Sequence, residues 1–228
     1  MNSLEMLAAI AQGLGPLKDK VVFVGGSTVS LYLTDPGAQT VRPTEDVDCV
    51  IEIVTRGQYY KLEAELEKLG FRHAAEGNSP ICRWRYRGLT ADIMPTEGAV
   101  LDFRSSWYPD GYANAQSVTL PDGLQIRIFT LLYFLASKIE AFLDRGRGDF
   151  LASPDMEDII TVLDGADNAA EEISRAPVKV RKYLSEQFSQ FLKDDRFLES
   201  LEGNLRSPSG TTGRVDRIKI MLASLTKS

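Results

Sequence analysis

Asp46, Val47 and Asp48 open the run Asp46-Val47-Asp48-Cys49-Val50-Ile51-Glu52-Ile53-Val54, whose alternating and then continuous apolar residues predict a central strand. Side chains two residues apart on a strand leave from the same face, so Asp46 and Asp48 present paired carboxylates. Two adjacent carboxylates repel unless a cation sits between them. The natural one is Mg²⁺ (or Mn²⁺), a hard ion that takes one or two carboxylates and completes its shell with water and substrate phosphates. Asp92, inside the strand-like run Leu89-Thr90-Ala91-Asp92-Ile93-Met94, supplies a third acid for a second metal or for accepting a proton from an attacking hydroxyl. A second stretch complements the acids. Gly25-Gly26-Ser27 follows the β-branched run Lys20-Val21-Val22-Phe23-Val24 and precedes a Ser/Thr-rich segment that reads as a short helix. Glycines let a backbone approach phosphate closely, and a helix start offers free N–H groups. Gly25, Gly26 and Ser27 are therefore expected to hold a triphosphate, with Ser27 as a hydrogen-bonding group. Serine nucleophile chemistry is not expected, because the chain has a single histidine, His73, in an ordinary strand-like setting.

Positioning these residues requires an α+β framework. Apolar spacing predicts a helix from Leu4 to Leu14, stopped by Gly15-Pro16, and another from Gln58 to Leu69, stopped by Gly70. Strands are expected over Phe71 to Ala75, Ile81 to Tyr86, Leu89 to Met94, Ser117 to Leu120 and Leu124 to Phe129. Pro121-Asp122-Gly123 joins the last two as a hairpin. From Thr130 the period becomes helical, with helices expected at Leu131 to Arg145, Asp155 to Leu163, Ala169 to Ile173, Val178 to Lys193 and Thr212 to Leu225. Two domains are expected: a mixed-sheet catalytic domain over 1–128 and a helical domain over 129–228 that completes a nucleotide cleft.

In this order the motifs resemble those of the DNA polymerase β-like nucleotidyltransferase superfamily, and within it the AbiEii-type group of type IV toxin–antitoxin and phage-defence systems. The likeness rests on Gly25-Gly26-Ser27, on Arg42-Pro43-Thr44-Glu45-Asp46-Val47-Asp48, on Asp92, and on Lys138 followed by an Arg/Asp-rich segment through Asp149 to Asp155-Met156-Glu157-Asp158-Ile159. It spans roughly residues 20 to 165. The resemblance implies a nucleotidyltransferase-fold mixed sheet and transfer of NMP from an NTP to an acceptor hydroxyl. Asp46, Asp48 and Asp92 are then the catalytic and metal-binding acids, Lys138 a phosphate-contacting lysine, and Thr44 and Asp155 further nucleotide-binding residues. Asp149, Asp155 and Asp158 all remain open as the family's downstream acid. It also implies an RNA or tRNA acceptor and an antitoxin protein as partners, while a protein or small-molecule acceptor stays open.

Composition sets the outer limits. With 228 residues, 43% hydrophobic and 25% charged, the chain is an ordinary water-soluble globular protein rather than a disordered one. The strongest apolar run, Ile128 to Ser137, is well short of the roughly 20 residues that span a bilayer. The opening Met1-Asn2-Ser3-Leu4-Glu5 lacks a basic n-region, so a cytoplasmic protein with no membrane association is expected. Cys49 and Cys82 form no metal or disulfide pattern and read as reduced packing residues. A net charge of −6 excludes a basic nucleic-acid coat, so any polyanion must meet a local patch. Arg83, Arg85 and Arg87 alternate with Trp84 and Tyr86. They read either as a stripe for an NTP tail or RNA backbone, or as a solvated sheet face with its aromatics in the core. The function expected is Mg²⁺-dependent NMP transfer. The alternatives are an idle nucleotide-binding or protein-interaction module and an aminoglycoside-type small-molecule adenylyltransferase.

Overall fold

The computed structural model describes residues 1–38, 40–74, 79–101, 106–146, 148–205 and 212–226. Ala75, the expected end of one strand, and Arg147, within the Arg/Asp-rich segment, lie outside them. The chain divides into two compact units, 1–30 with 43–130, and 31–42 with 131–228.

The first unit is built on a seven-stranded sheet. Its strands are β1 (Val21–Val24), β2 (Asp46–Ile51), β3 (Arg72–His73), β4 (Arg83–Tyr86), β5 (Leu89–Pro95), β6 (Gln116–Thr119) and β7 (Gln125–Ile128), in the order β3-β4-β5-β2-β1-β7-β6. The sheet is mixed: β1 runs antiparallel to β2 and parallel to β7, while β2 is parallel to β5. All four residues of β1 are buried, as expected of a central strand covered on both faces. Helix α1 (Ser3–Leu14) starts at a capping box in which Asn2 and Glu5 satisfy each other's backbone N–H groups. It buries Leu7, Ile10, Ala11 and Leu14. A second capping box, Thr55 with Gln58, opens α2 (Arg56–Lys68). A short helix, α3 (Tyr108–Ala113), was not signalled by any periodic apolar run.

Two turns fix the register of the sheet. The expected β6–β7 hairpin forms, with Thr119 opposite Gln125. The β4–β5 hairpin is tighter: Tyr86 pairs with Leu89 across Arg87 and Gly88, both at positive φ (48° and 83°). This is the two-residue geometry whose twist matches that of the flanking strands. Arg87 therefore belongs to the turn, and the three-arginine stripe does not exist. Trp84 is fully buried with its ring tilted against His73, and the half-buried Tyr86 stacks on Phe71, so of the two aromatics Trp84 is the core residue.

The second unit is helical: α4 (Leu131–Arg145), α5 (Pro154–Gly165), α6 (Ala169–Ser174), α7 (Val178–Phe191), α8 (Asp195–Asn204) and α9 (Thr212–Leu225). Leu131 to Ala136 are buried without interruption, which makes the first half of α4 the centre of this unit. Phe142, Phe150, Phe191 and Phe197 form an aromatic cluster with ring centroids 4.8 to 5.9 Å apart. Helix α8, not expected from the sequence, contributes Phe197 and Leu201 to the core behind the N-cap Asp194.

The segment 31–42 joins this unit for a specific reason. Arg214 on α9 donates to both carboxylate oxygens of Asp164 (2.8 and 3.0 Å), to Asp35 (2.8 Å) and to the Gly37 carbonyl (2.9 Å). Thr34 and Asp35 donate backbone N–H groups to the Gly165 carbonyl. These bonds make residues 31–42 a strap on the helices. Among the described residues no helix is long and apolar enough to cross a membrane.

Candidate active site

Strand pairing brings the three acids together. Val24 at the end of β1 lies opposite Asp48, and Asp48 lies opposite Asp92, so the carboxylates of Asp48 and Asp92 share one face of the sheet with Asp46. Gly25, just past β1, sits at φ +73°, where a non-glycine residue is strained. A Cβ there would stand 2.0 Å from Asp48 Oδ2. The glycine is thus required twice, by the turn and by the acid packed against it.

The rest of the turn looks inward. Ser27 and Thr28 are fully buried, and their hydroxyls donate to the carbonyls of Val24 and Gly25. The expected helix after the glycines is a 3-10 turn over Gly26–Leu31. Ser27 and Thr28 therefore hold the shape of the turn, and the expected phosphate contact from the Ser27 hydroxyl would compete with that internal bond. Thr44 likewise serves an acid, its hydroxyl donating to Asp46 Oδ1 at 3.3 Å.

Arg83 is the residue whose role the sequence did not reveal. The β4–β5 register sets it directly opposite Asp92. Its guanidinium grips that carboxylate with Nε on Oδ1 (2.8 Å) and Nη2 on Oδ2 (2.7 Å), and Nη2 also reaches Asp46 Oδ2 at 3.2 Å. The hydrogen bond to Asp92 raises the pKa of Arg83 above the arginine range, more than partial burial lowers it, and the charges of Asp92 and Asp46 add to the rise. Arg85, opposite Thr90, donates to the Thr90 hydroxyl. The signal available in the sequence was the Arg87-Gly88 turn, which fixes Arg83 against Asp92 once it is read as a hairpin.

The acids suit a hard divalent cation in donor type, in their common face and in the Gly25 cradle. Their arrangement stops short of a three-acid cage: among the described residues no group of three or more Asp, Glu, His or Cys side chains is disposed to hold a metal. Asp92 is already held by Arg83.

In the helical unit, Lys138 on α4 places its ammonium between Asp155 Oδ1 (2.9 Å) and Asp158 Oδ2 (2.7 Å) on α5. Arg145 forks onto Asp155 (2.9 and 3.0 Å) and Arg42 onto Asp158 (2.9 and 3.0 Å). Lys138, Asp155 and Asp158 are all buried. Burial alone would push the Lys138 ammonium down, but the charges of Asp158 and Asp155 outweigh it and hold the group above the usual lysine range. Burial likewise pushes Asp155 up and is outweighed by Arg145 and Lys138, which leave it below the carboxylate range. Of the three downstream acids, Asp155 and Asp158 pair with the lysine. Asp149 accepts from the backbone N–H groups of Leu151 and Ala152 and shapes the turn before α5. Lys138, expected to contact phosphate, pairs with two aspartates, because in a buried site each carboxylate needs a cation.

Both cysteines are free. Burial pushes the Cys49 thiol well up and that of Cys82 up to about 12, so both stay protonated near neutrality.

No protein-family model matches the chain, and no curated protein matches it. Solved structures do. The antibiotic-resistance factor ANT(2'')-Ia matches 82% of this chain and 96% of its own at 15% identity, with a TM-score of 0.50. JHP933 from Helicobacter pylori matches 99% of this chain and 92% of its own at 12% identity (TM-score 0.48). A second H. pylori protein, described as a candidate nucleotidyltransferase, matches 99% and 93% at 11% identity (TM-score 0.47). The likeness is one of fold: this chain has a mixed α+β fold like that of the antibiotic-resistance factor.

Proposed function

We propose that the chain is a divalent-metal-dependent nucleotidyltransferase that moves NMP from an NTP to an acceptor hydroxyl. The observation that carries this is the registration of Asp48 between Val24 and Asp92, with the Gly25 turn packed on its carboxylate. A glycine turn and an acidic face at one end of a sheet pair a site for phosphate with a site for the cation that phosphate brings. Asp46 and Asp48 would hold that cation, Mg²⁺ or Mn²⁺, which when bound supplies charge neutralisation on the triphosphate. Thr44 orients Asp46, and the backbone at Gly25, only half-buried, would be the part of the turn that phosphate approaches. The acceptor oxygen bonds to the α-phosphorus, the bond from that phosphorus to the bridging oxygen breaks, and pyrophosphate leaves. The acceptor proton would pass to a carboxylate of the acidic face, the role left to Asp92 once Asp46 and Asp48 are given to the cation. Positioning and electrostatics supply most of the catalysis in such a transfer.

Two acceptor classes stand. The motif likeness to AbiEii-type toxins favours RNA or tRNA as acceptor, a toxin or phage-defence role, and an antitoxin partner. A second reading, a small cationic acceptor of the aminoglycoside kind, gains from the sheet itself. The arginine stripe that would have favoured a polyanion is gone, with Arg83 engaged by acids and Arg87 in a turn, and the chain carries a net charge of −6. The fold it shares with an antibiotic-resistance factor is consistent with that reading.

The test is label transfer from each α-³²P-NTP with Mg²⁺ to cellular RNA, to soluble protein and to aminoglycosides. The native chain is compared with Asp46→Ala/Asp48→Ala. Label on one acceptor class with the native chain, reduced about a thousandfold in the variant, is the expected result, since several kcal/mol of transition-state charge stabilisation goes with the cation. Nucleotide binding without transfer to any class would overturn the enzyme reading in favour of a binding module.

A further inference from the structure

Arg42 stands at a junction in the chain. It is the last residue of the 31–42 segment, which belongs to the helical unit, and the chain enters the sheet unit at Pro43. Thr44 follows, its hydroxyl donating to Asp46 Oδ1 at 3.3 Å, and Asp46 opens β2. Residues 41–44 lie in neither helix nor strand, so no repeating backbone ladder fixes their path. The Arg42 side chain does part of that work: Nε and Nη2 fork onto Oδ1 and Oδ2 of Asp158 at 2.9 and 3.0 Å. A fork aligns two N–H groups at once and sets direction as well as distance. Its acceptor is well anchored, since the Asp158 side chain is 1% exposed and also receives the Lys138 ammonium at 2.7 Å. Only Pro43 separates Arg42 from Thr44. A proline ring locks φ near −65° and keeps the residue before it extended, so the link has few soft torsions. The far end of the strap is held separately, by Arg214 on Asp35 and on the Gly37 carbonyl.

We infer that Arg42 is a positioning residue of the candidate active site: its fork on Asp158 fixes Thr44 through Pro43, and Thr44 in turn fixes the Asp46 carboxylate. The inference deepens the nucleotidyltransferase reading above and, in its kinetic part, rests on it. Within the buried cluster, Arg42 is then the cation whose loss is felt at Asp46, because it alone sits on the chain that leads there.

The test reads kinetics and backbone together on the full chain. Native protein, Arg42→Gln, Thr44→Val, Arg42→Gln/Thr44→Val and Arg214→Gln are compared, the last loosening the strap at its far end. Label transfer per folded molecule is followed over a range of NTP concentrations with the acceptor that the native chain labels, and amide hydrogen exchange is followed at residues 44–47. Arg42→Gln is expected to lower kcat about tenfold with the KM for NTP within about twofold of native, the mark of a misplaced group rather than of lost binding. Its amide exchange at 44–47 should quicken about tenfold. Arg214→Gln should lose stability yet keep both kcat and exchange at 44–47 near native. In the double variant the two losses should not multiply, because without the Thr44 hydroxyl Arg42 has nothing left to place. Native kcat in folded Arg42→Gln, an equal loss in Arg214→Gln, or losses that multiply in the double variant would overturn the inference. Should Arg42→Gln fail to fold, Arg42→Lys, which keeps a charge for Asp158 and loses the fork, is judged by the same criteria. If the native chain labels no acceptor, the proposed reaction falls and exchange at 44–47 decides alone: quickening in Arg42→Gln keeps the anchor, and native rates remove it.

Discussion

In the sheet unit one guanidinium, Arg83, serves Asp92 and Asp46 on a face that also carries Asp48. In the helical unit the two carboxylates of Asp155 and Asp158 are served by Lys138, Arg145 and Arg42. The side chains of Asp155 and Asp158 are 4% and 1% exposed, against 32% for Asp46. Both regions gather aspartates around cations, yet in the helical cluster three cations meet two nearly closed carboxylates, while on the acidic face Asp46 is open to solvent. A buried acid without its cation costs several kcal/mol, so the ion pairs of the helical cluster hold its carboxylates in place. A more exposed carboxylate such as Asp46 keeps its charge at lower cost. The contrast teaches that ionic partnership alone does not mark a site; the sign of the imbalance and access to water do.

The contrast can be broken most sharply in the helical cluster. Asp158→Ala leaves Lys138 and Arg42 short of a partner and is expected to destabilise the protein by about 3–5 kcal/mol, read as the loss of urea unfolding free energy. Lys138→Met, which leaves each aspartate its own arginine, should cost less. Its label-transfer rate per folded molecule should stay near native; a collapse of that rate in a folded Lys138→Met would restore the phosphate contact and end the contrast. On the sheet side, Gly25→Ala forces a left-handed backbone on alanine and drives its Cβ into Asp48. A stability loss of about 1–2 kcal/mol is expected, with a disproportionate loss of transfer as Asp48 is displaced. The smallest effect is the pH dependence of thermal unfolding. Asp155 is lowered in the fold, so its contribution is present above the unfolded carboxylate pKa and fades as pH falls through the folded value. Lys138 is raised, so its contribution is full below the unfolded lysine pKa and fades as pH rises through the folded value. Stability from the cluster should therefore be flat between roughly pH 4 and 10 and fall on both sides. In Lys138→Met the alkaline fall should be weaker.

Much of the architecture was legible from periodicity. The α1 stripe, the Val21–Val24 strand, the Pro121-Asp122-Gly123 hairpin and the α4 and α9 helices follow from residue spacing and turn chemistry, which act within a few residues. Helix α8 escaped because its apolar positions, Phe197, Leu198 and Leu201, are few among charged neighbours and matter only against the aromatic cluster they complete. The strap at 31–42 escaped because what fixes it is Arg214, far along the chain.

The sequence by itself determined which residue types stand two apart on a strand, where glycine must turn the chain, and that one half is mixed sheet and the other helical, since these depend on local backbone geometry. Only the tertiary structure decided that Asp48 lies between Val24 and Asp92, that Arg83 grips Asp92 while Arg87 turns away, and that Lys138 belongs to two aspartates. Charges act through distance and water access, and both are set by strand register and helix packing between residues that the sequence holds far apart.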